Sequence, residues 1–133
     1  MTKIGVMSDT HSLVPKQVYS FFEDVDLILH CGDIGSSDVL CELRLFKPTI
    51  AVWGNCDSRY ELDDVEEFQS LEIENTKLLM THIGGYPKHY PEHIEKKLKE
   101  EKARKSCYSY DFCAVGVRCG MRVILAGTAA ERI

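Results

Sequence analysis

The sequence predicts an α/β domain in which a parallel sheet alternates with helices and is followed by the start of a second, antiparallel sheet. Three observations predict it. The first half holds three short, uninterrupted apolar runs, each ending in a loop rich in Gly, Asp, Asn or His. Helical periodicity fills the gaps between those runs. Past Ser70 the pattern changes to strict alternation.

Ile4-Gly5-Val6-Met7 ends in Ser8-Asp9-Thr10-His11, and Leu27-Ile28-Leu29-His30 ends in Cys31-Gly32-Asp33. Ile50-Ala51-Val52-Trp53 ends in Gly54-Asn55-Cys56-Asp57. Continuous apolar runs of this length suit strands covered on both faces, as in parallel sheets. Between the first two, Val14, Val18, Phe21 and Phe22 recur at helical spacing, with Pro15 suited to a first turn. Between the second and third, Val39, Leu43 and Phe46 do the same after Ser36-Ser37-Asp38, an N-cap signal. Pro48 stops that helix. The order β-α-β-α-β implies right-handed crossovers, with the strand-end loops on one edge of the sheet, where α/β sheets place their sites.

Leu71-Glu72-Ile73-Glu74 alternates, and Lys77-Leu78-Leu79-Met80 follows across Asn75-Thr76. That pattern is a hairpin with one wet face, opening a second sheet. Its second strand ends in Thr81-His82, and Ile83 to Pro87 form a loop. Glu92 to Arg104 reads as a highly charged helix with Ile94 and Leu98 as its anchors and a solvated outer face.

At 133 residues the chain is a single domain by length, and 44% hydrophobic content supplies a core. Its 21 acidic and 16 basic residues leave a net charge of −5, which argues against nucleic acid as a partner. A phosphate substrate remains compatible with that charge, because bound cations reverse it locally. No run approaches the ~20 apolar residues that span a membrane. Met1-Thr2-Lys3 leads straight into the first strand without a secretion signal, so a cytoplasmic location is expected. Cys31, Cys41, Cys56, Cys107, Cys113 and Cys119 form no Cys-x-x-Cys pair and are expected as reduced thiols. The even spacing of the last three is not read as a zinc site.

Four strand ends deliver, in order, Asp9 with His11, then Asp33, then Asn55, then His82. Each has an ordinary alternative as a turn or cap residue. Their coincidence at the same end of successive apolar runs is what points to a site. Carboxylate, amide and imidazole donors together suit Mn, Zn, Fe or Ni rather than calcium. Asp33 can bridge two cations through its two oxygens, and cations about 3.5–4 Å apart clamp a phosphate between them.

Ser8-Asp9-Thr10-His11, His30-Cys31-Gly32-Asp33, Trp53-Gly54-Asn55-Cys56-Asp57 and Thr81-His82-Ile83-Gly84 resemble, in order, the motifs of the calcineurin-like metallophosphoesterases. The likeness covers residues 3–90 and is strongest to the branch of small prokaryotic phosphodiesterases. It implies a two-sheet β sandwich flanked by helices, with two divalent metals at the strand ends. It also implies that Asp9 and His11 bind the first metal, that Asp33 bridges, and that Asn55 and His82 bind the second. Asn55 would also contact the phosphate. Cys56 stands where larger phosphatases keep an acid histidine, so the leaving group would be protonated from elsewhere or by water. Beside the ligands, Cys31 and Cys56 are expected to pack in the interior. The implied activity is hydrolysis of a small phosphodiester or nucleotide-like substrate; a homo-oligomer is compatible with it. The alternative is a non-catalytic interaction scaffold of the same fold.

The family closes its site with a late Gly-His-[Thr/Ser]-His. Here the expected strand Asp111-Phe112-Cys113-Ala114-Val115 is followed by Gly116-Val117-Arg118-Cys119-Gly120-Met121, and no histidine follows His93. Three readings of residues past about 110 stand: a shifted reading frame or truncation, a genuine loss of ligands, or substitution by His89 or His93. An incomplete second sheet, impaired metal occupancy and marginal stability are expected from the first two.

Overall fold

The computed structural model describes residues 2–84 and 89–100, together with the backbone of strands at 107–108, 114–116 and 122–125. β1 (Lys3–Met7), β2 (Leu27–His30) and β3 (Thr49–Ala51) are the three apolar runs, all parallel. α1 (Gln17–Phe21) and α2 (Ser37–Phe46) are the two crossovers. The hairpin is β4 (Phe68–Ile73) paired antiparallel with β5 (Thr76–Thr81). α3 (Glu92–Glu100) follows, then β6 (Cys107–Tyr108), β7 (Ala114–Gly116) and β8 (Arg122–Leu125). The first sheet runs β3-β2-β1-β8 and the second β4-β5-β7-β6.

β8 pairs parallel with β1, so β1 is an interior strand with neighbours on both sides. Successive side chains on a strand point to opposite faces, and the apolar runs use both. Met7 and Ile28 pack with Val18, Phe22, Val39, Leu40 and Leu43 on the helix side. Ile4, Val6 and Leu29 pack with Leu78 and Met80 on the side of the second sheet. The result is the sandwich expected from the sequence, with α1 and α2 on one outer face and two sheets in contact.

Several boundaries shift from the expectations. α1 begins at Gln17 with Lys16 as its N-cap, so Pro15 lies before the helix, not in its first turn. Its five residues offer a single face to the core. Phe22 is fully buried at the C-cap, whereas the adjacent Phe21 is 51% exposed. Ser36 is the N-cap of α2 as expected, but its side chain makes no capping bond. Lys47 leaves α2 in an extended conformation, the geometry imposed on a residue that precedes proline. The hairpin turns at Glu74-Asn75, both left-handed (φ 47° and 64°), one residue earlier than expected. Two left-handed residues match the twist of a two-residue hairpin, and asparagine tolerates that conformation. Ile94 anchors α3 and is buried; Leu98 is half-buried. The expected extension of that helix to Arg104, residues 111–113 and 117–121, and the side chains of Cys107, Cys113 and Cys119 lie outside the described residues.

Candidate metal centre

The loop leaving β1 lies along the loop leaving β2. Asp9 N–H donates to Gly32 O at 2.9 Å, His11 N–H to Asp33 O at 3.1 Å, and Ser12 N–H to Ile34 O at 2.9 Å. This ladder continues the parallel pairing of the two strands past their ends and fixes the spacing of three chemistry-bearing side chains. It also demands unusual backbone. Asp9 (φ 59°), His11 (φ 45°) and Asp33 (φ 53°) are all left-handed. Aspartate and histidine accept that region better than most residues, at a cost of order 1–3 kcal/mol each, and such strain collects at functional sites.

Asp33 is the hub. It is 5% exposed, and its two oxygens face different partners. Oδ1 accepts the Cys56 N–H at 3.0 Å and stands 3.4 Å from His82 Nε2. Oδ2 stands 3.9 Å from His11 Nε2, which is also 3.9 Å from Asp9 Oδ1. Ser8 Oγ donates to Asp9 Oδ2 and so orients that carboxylate. His82, 2% exposed, donates from Nδ1 to the carbonyl of Cys31 at 2.7 Å. That bond commits the Nδ1 proton and turns Nε2 towards Asp33, the orientation that suits a metal ligand.

The donor atoms fall into two groups that share Asp33. Asp9, Asp33 and His82 each offer an atom within 4.8 Å of the others, and so do His11, Asp33 and Cys56. Nitrogen, oxygen and sulfur donors converging at that spacing, two of them on deeply buried residues, fit divalent transition metals in chemistry and number. His89 and His93 are exposed and belong to neither group.

Cys56 was expected beside the ligands but packed in the interior. Asp57 N–H donates to Gly54 O at 3.1 Å, closing a β-turn that puts Asn55 and Cys56 at its tip. Both are exposed, and Asn55 Nδ2 donates to Cys56 Sγ at 3.6 Å. The thiol's hydrogen bond to the Asp33 carboxylate pushes its pKa up. The expectation that Cys56 packs in the interior is therefore corrected: a turn tip has no core to enter. Cys31 is fully buried as expected, but it is disulfide-bonded, which corrects the expectation of a reduced thiol at this position. Among the described residues, Cys41 and Cys56 carry free thiols.

Two supporting features were also missed. The Asp57 carboxylate accepts three backbone N–H groups, from Gly54 (2.8 Å), Gly35 (2.8 Å) and Ile34 (3.1 Å). It thereby ties the loop after β3 to the loop after β2. The signal was in the sequence: a carboxylate closing a Gly-Asn turn is placed to collect turn amides. The second feature is a buried relay. Gly32 N–H donates to His30 Nδ1 (3.2 Å), His30 Nε2 faces Thr10 Oγ1 (3.0 Å), and Thr10 Oγ1 donates to Ile34 O (2.9 Å). Because Nδ1 accepts, Nε2 carries the proton and His30 is neutral; burial lowers its pKa to about 4.

Comparison with known proteins decides the family. The description "Calcineurin-like phosphoesterase superfamily domain" matches residues 2–116. The chain belongs to that superfamily. A protein named probable metallophosphoesterase from Methanothermobacter thermautotrophicus is 40% identical over 90 residues, covering 64% of this chain and 52% of its own length. A phosphodiesterase of Methanocaldococcus jannaschii is 36% identical over 96 residues, covering 60% of this chain and 58% of its own. The chain thus spans about half the length of these curated relatives. No solved structure matches it. As a calcineurin-like phosphoesterase domain it carries the expected mixed α/β architecture, with one parallel and one antiparallel sheet. Among the described residues, no helix is long and apolar enough to cross a membrane.

Proposed function

We propose that this chain is a metal-dependent phosphodiesterase with a dinuclear centre held by Asp9, His11, Asp33, Asn55 and His82, acting on a small phosphodiester or nucleotide-like substrate. The observation that carries the reading is the Asp33 carboxylate, whose two oxygens face two separate imidazoles, His11 and His82. A single carboxylate with that arrangement is suited to joining two cations. A pair of divalent cations supplies charge to hold the non-bridging phosphate oxygens and to activate water. The chain's own part is to hold those donors still. Ser8 orients Asp9, the carbonyl of Cys31 orients the His82 ring, and the Gly54–Asp57 turn holds Asn55 at its exposed tip, from which its amide would contact the phosphate.

The relatives' names, probable metallophosphoesterase and phosphodiesterase, support the reaction class. Mn is the cation first chosen for assay, and a cytoplasmic location is proposed with it, although the disulfide at Cys31 does not favour a reducing compartment. Gly116 to Met121, where the late Gly-His-x-His is expected, hold no histidine, and occupancy of both positions is proposed to be weak.

Hydrolysis of bis-p-nitrophenyl phosphate tests the proposal. Activity should require Mn²⁺ and disappear in Asp33→Asn, which keeps the shape and removes the bridging charge. Absence of turnover with every divalent cation tried would overturn it for this chain.

A further inference from the structure

Cys56 lies in the centre without a part in the scheme above. Its Sγ is grouped with one donor atom each of His11 and Asp33, all within 4.8 Å of one another, the same closeness that groups Asp9, Asp33 and His82. The turn that carries it is tightly held. Its own N–H is spent on Asp33 Oδ1, and the turn is closed by Asp57. The Cys56 backbone is therefore held against Asp33 by the turn itself.

We propose that Cys56 is a metal ligand, its thiolate completing with His11 and Asp33 a mixed N/O/S position that selects zinc-like cations over manganese. This rests on the dinuclear reading given above and refines it. Thiolate is a soft donor; joined to imidazole and carboxylate it favours Zn²⁺ or Co²⁺, whereas carboxylate and carbonyl sets suit Mn²⁺. As the metal–sulfur bond forms, the S–H bond breaks and its proton passes to solvent or buffer, so oxidation states do not change. Asn55 Nδ2, already donating to Sγ at 3.6 Å, then donates to a charged sulfur, a stronger bond than to a thiol.

Cobalt reports sulfur ligation directly. The full chain, its disulfide intact and freed of metal with a chelator, is titrated with Co²⁺ alone and followed from the near ultraviolet through the visible. A sulfur-to-cobalt charge-transfer band should appear in the wild type and in Cys41→Ser, a control on α2. In Cys56→Ser the band should vanish while the visible cobalt absorption persists. Competition between Zn²⁺ and Mn²⁺ should show the preference for zinc falling by about tenfold or more in Cys56→Ser. Visible cobalt absorption in the wild type without the charge-transfer band overturns the ligation and leaves the metal centre intact. The same holds if the band survives in Cys56→Ser. Failure of the wild type to bind cobalt at all, or binding unchanged in Asp33→Asn, overturns the centre itself and this proposal with it.

Discussion

Gly54 approaches Asp33 so closely that a Cβ at position 54 would collide with Asp33 Oδ1 and fall 2.5 Å from the Asp33 backbone nitrogen. No real side chain tolerates such a contact, so the loop after β3 can lie against the Asp33 carboxylate only if this residue is glycine. Gly54→Ala should therefore displace Asp33, Asn55 and Cys56 together. Mn²⁺ affinity, measured by calorimetry, should drop by about 10- to 100-fold, with far-ultraviolet circular dichroism close to wild type because the strands themselves are untouched.

Removing Asp57 should act through stability as well as through the site. Its carboxylate satisfies three loop amides, and Asp57→Ala leaves them without that acceptor. An unsatisfied amide costs ~1–3 kcal/mol when fully buried; with partial solvent access here, a total of about 2–4 kcal/mol is expected. Urea unfolding checks this. Asp57→Asn retains one carbonyl acceptor and should recover part of the loss.

His30 makes stability pH-dependent in a stated direction. Its folded pKa is lowered to about 4 from 6.5, mainly by burial. Between those values the unfolded chain binds more protons than the folded one, so stability rises with pH. The contribution is complete above the unfolded value of 6.5 and is lost as pH falls towards about 4. The loss over that window is on the order of 3 kcal/mol. Unfolding free energies measured with chelator present, stepwise from neutral pH to mildly acidic, should decline, and His30→Gln should flatten the decline.

Divalent cations should protect the fold. A ligand that binds only the native state stabilises it by about 2.7 kcal/mol at a hundred times its dissociation constant. Melting temperature should climb with Mn²⁺ or Zn²⁺ and return on addition of chelator. Asp33→Asn should blunt the response.

Much of this molecule could be read from residue order. The three apolar runs became β1, β2 and β3 because their side chains face helices on one side and a sheet on the other, which is what an unbroken apolar run encodes. Asp9, His11, Asp33 and His82 stood out because strand-end loops are short and deliver them to one edge. The pairings were harder to see. Grouping His82 with Asp9 and His11 with Cys56 depends on left-handed backbone at Asp9, His11 and Asp33. No local sequence rule assigns that conformation to aspartate or histidine. Cys56 was misplaced for a related reason. Cysteine is usually an interior residue, and only the hydrogen bond from Asp57 N–H to Gly54 O turns it outward. α1 was anticipated too long, since helical spacing continued through Pro15 while the backbone became helical only from Gln17.

His82 is delivered from β5 in the second sheet, while Asp9, His11, Asp33 and Cys56 are delivered from the first. An ion clasped between His82 and Asp33 would work as a rivet through the sandwich, resisting any slide of one layer over the other. Cells starved of divalent cations should then clear this chain faster than well-supplied ones, so that its abundance reports metal supply before any catalytic effect is felt.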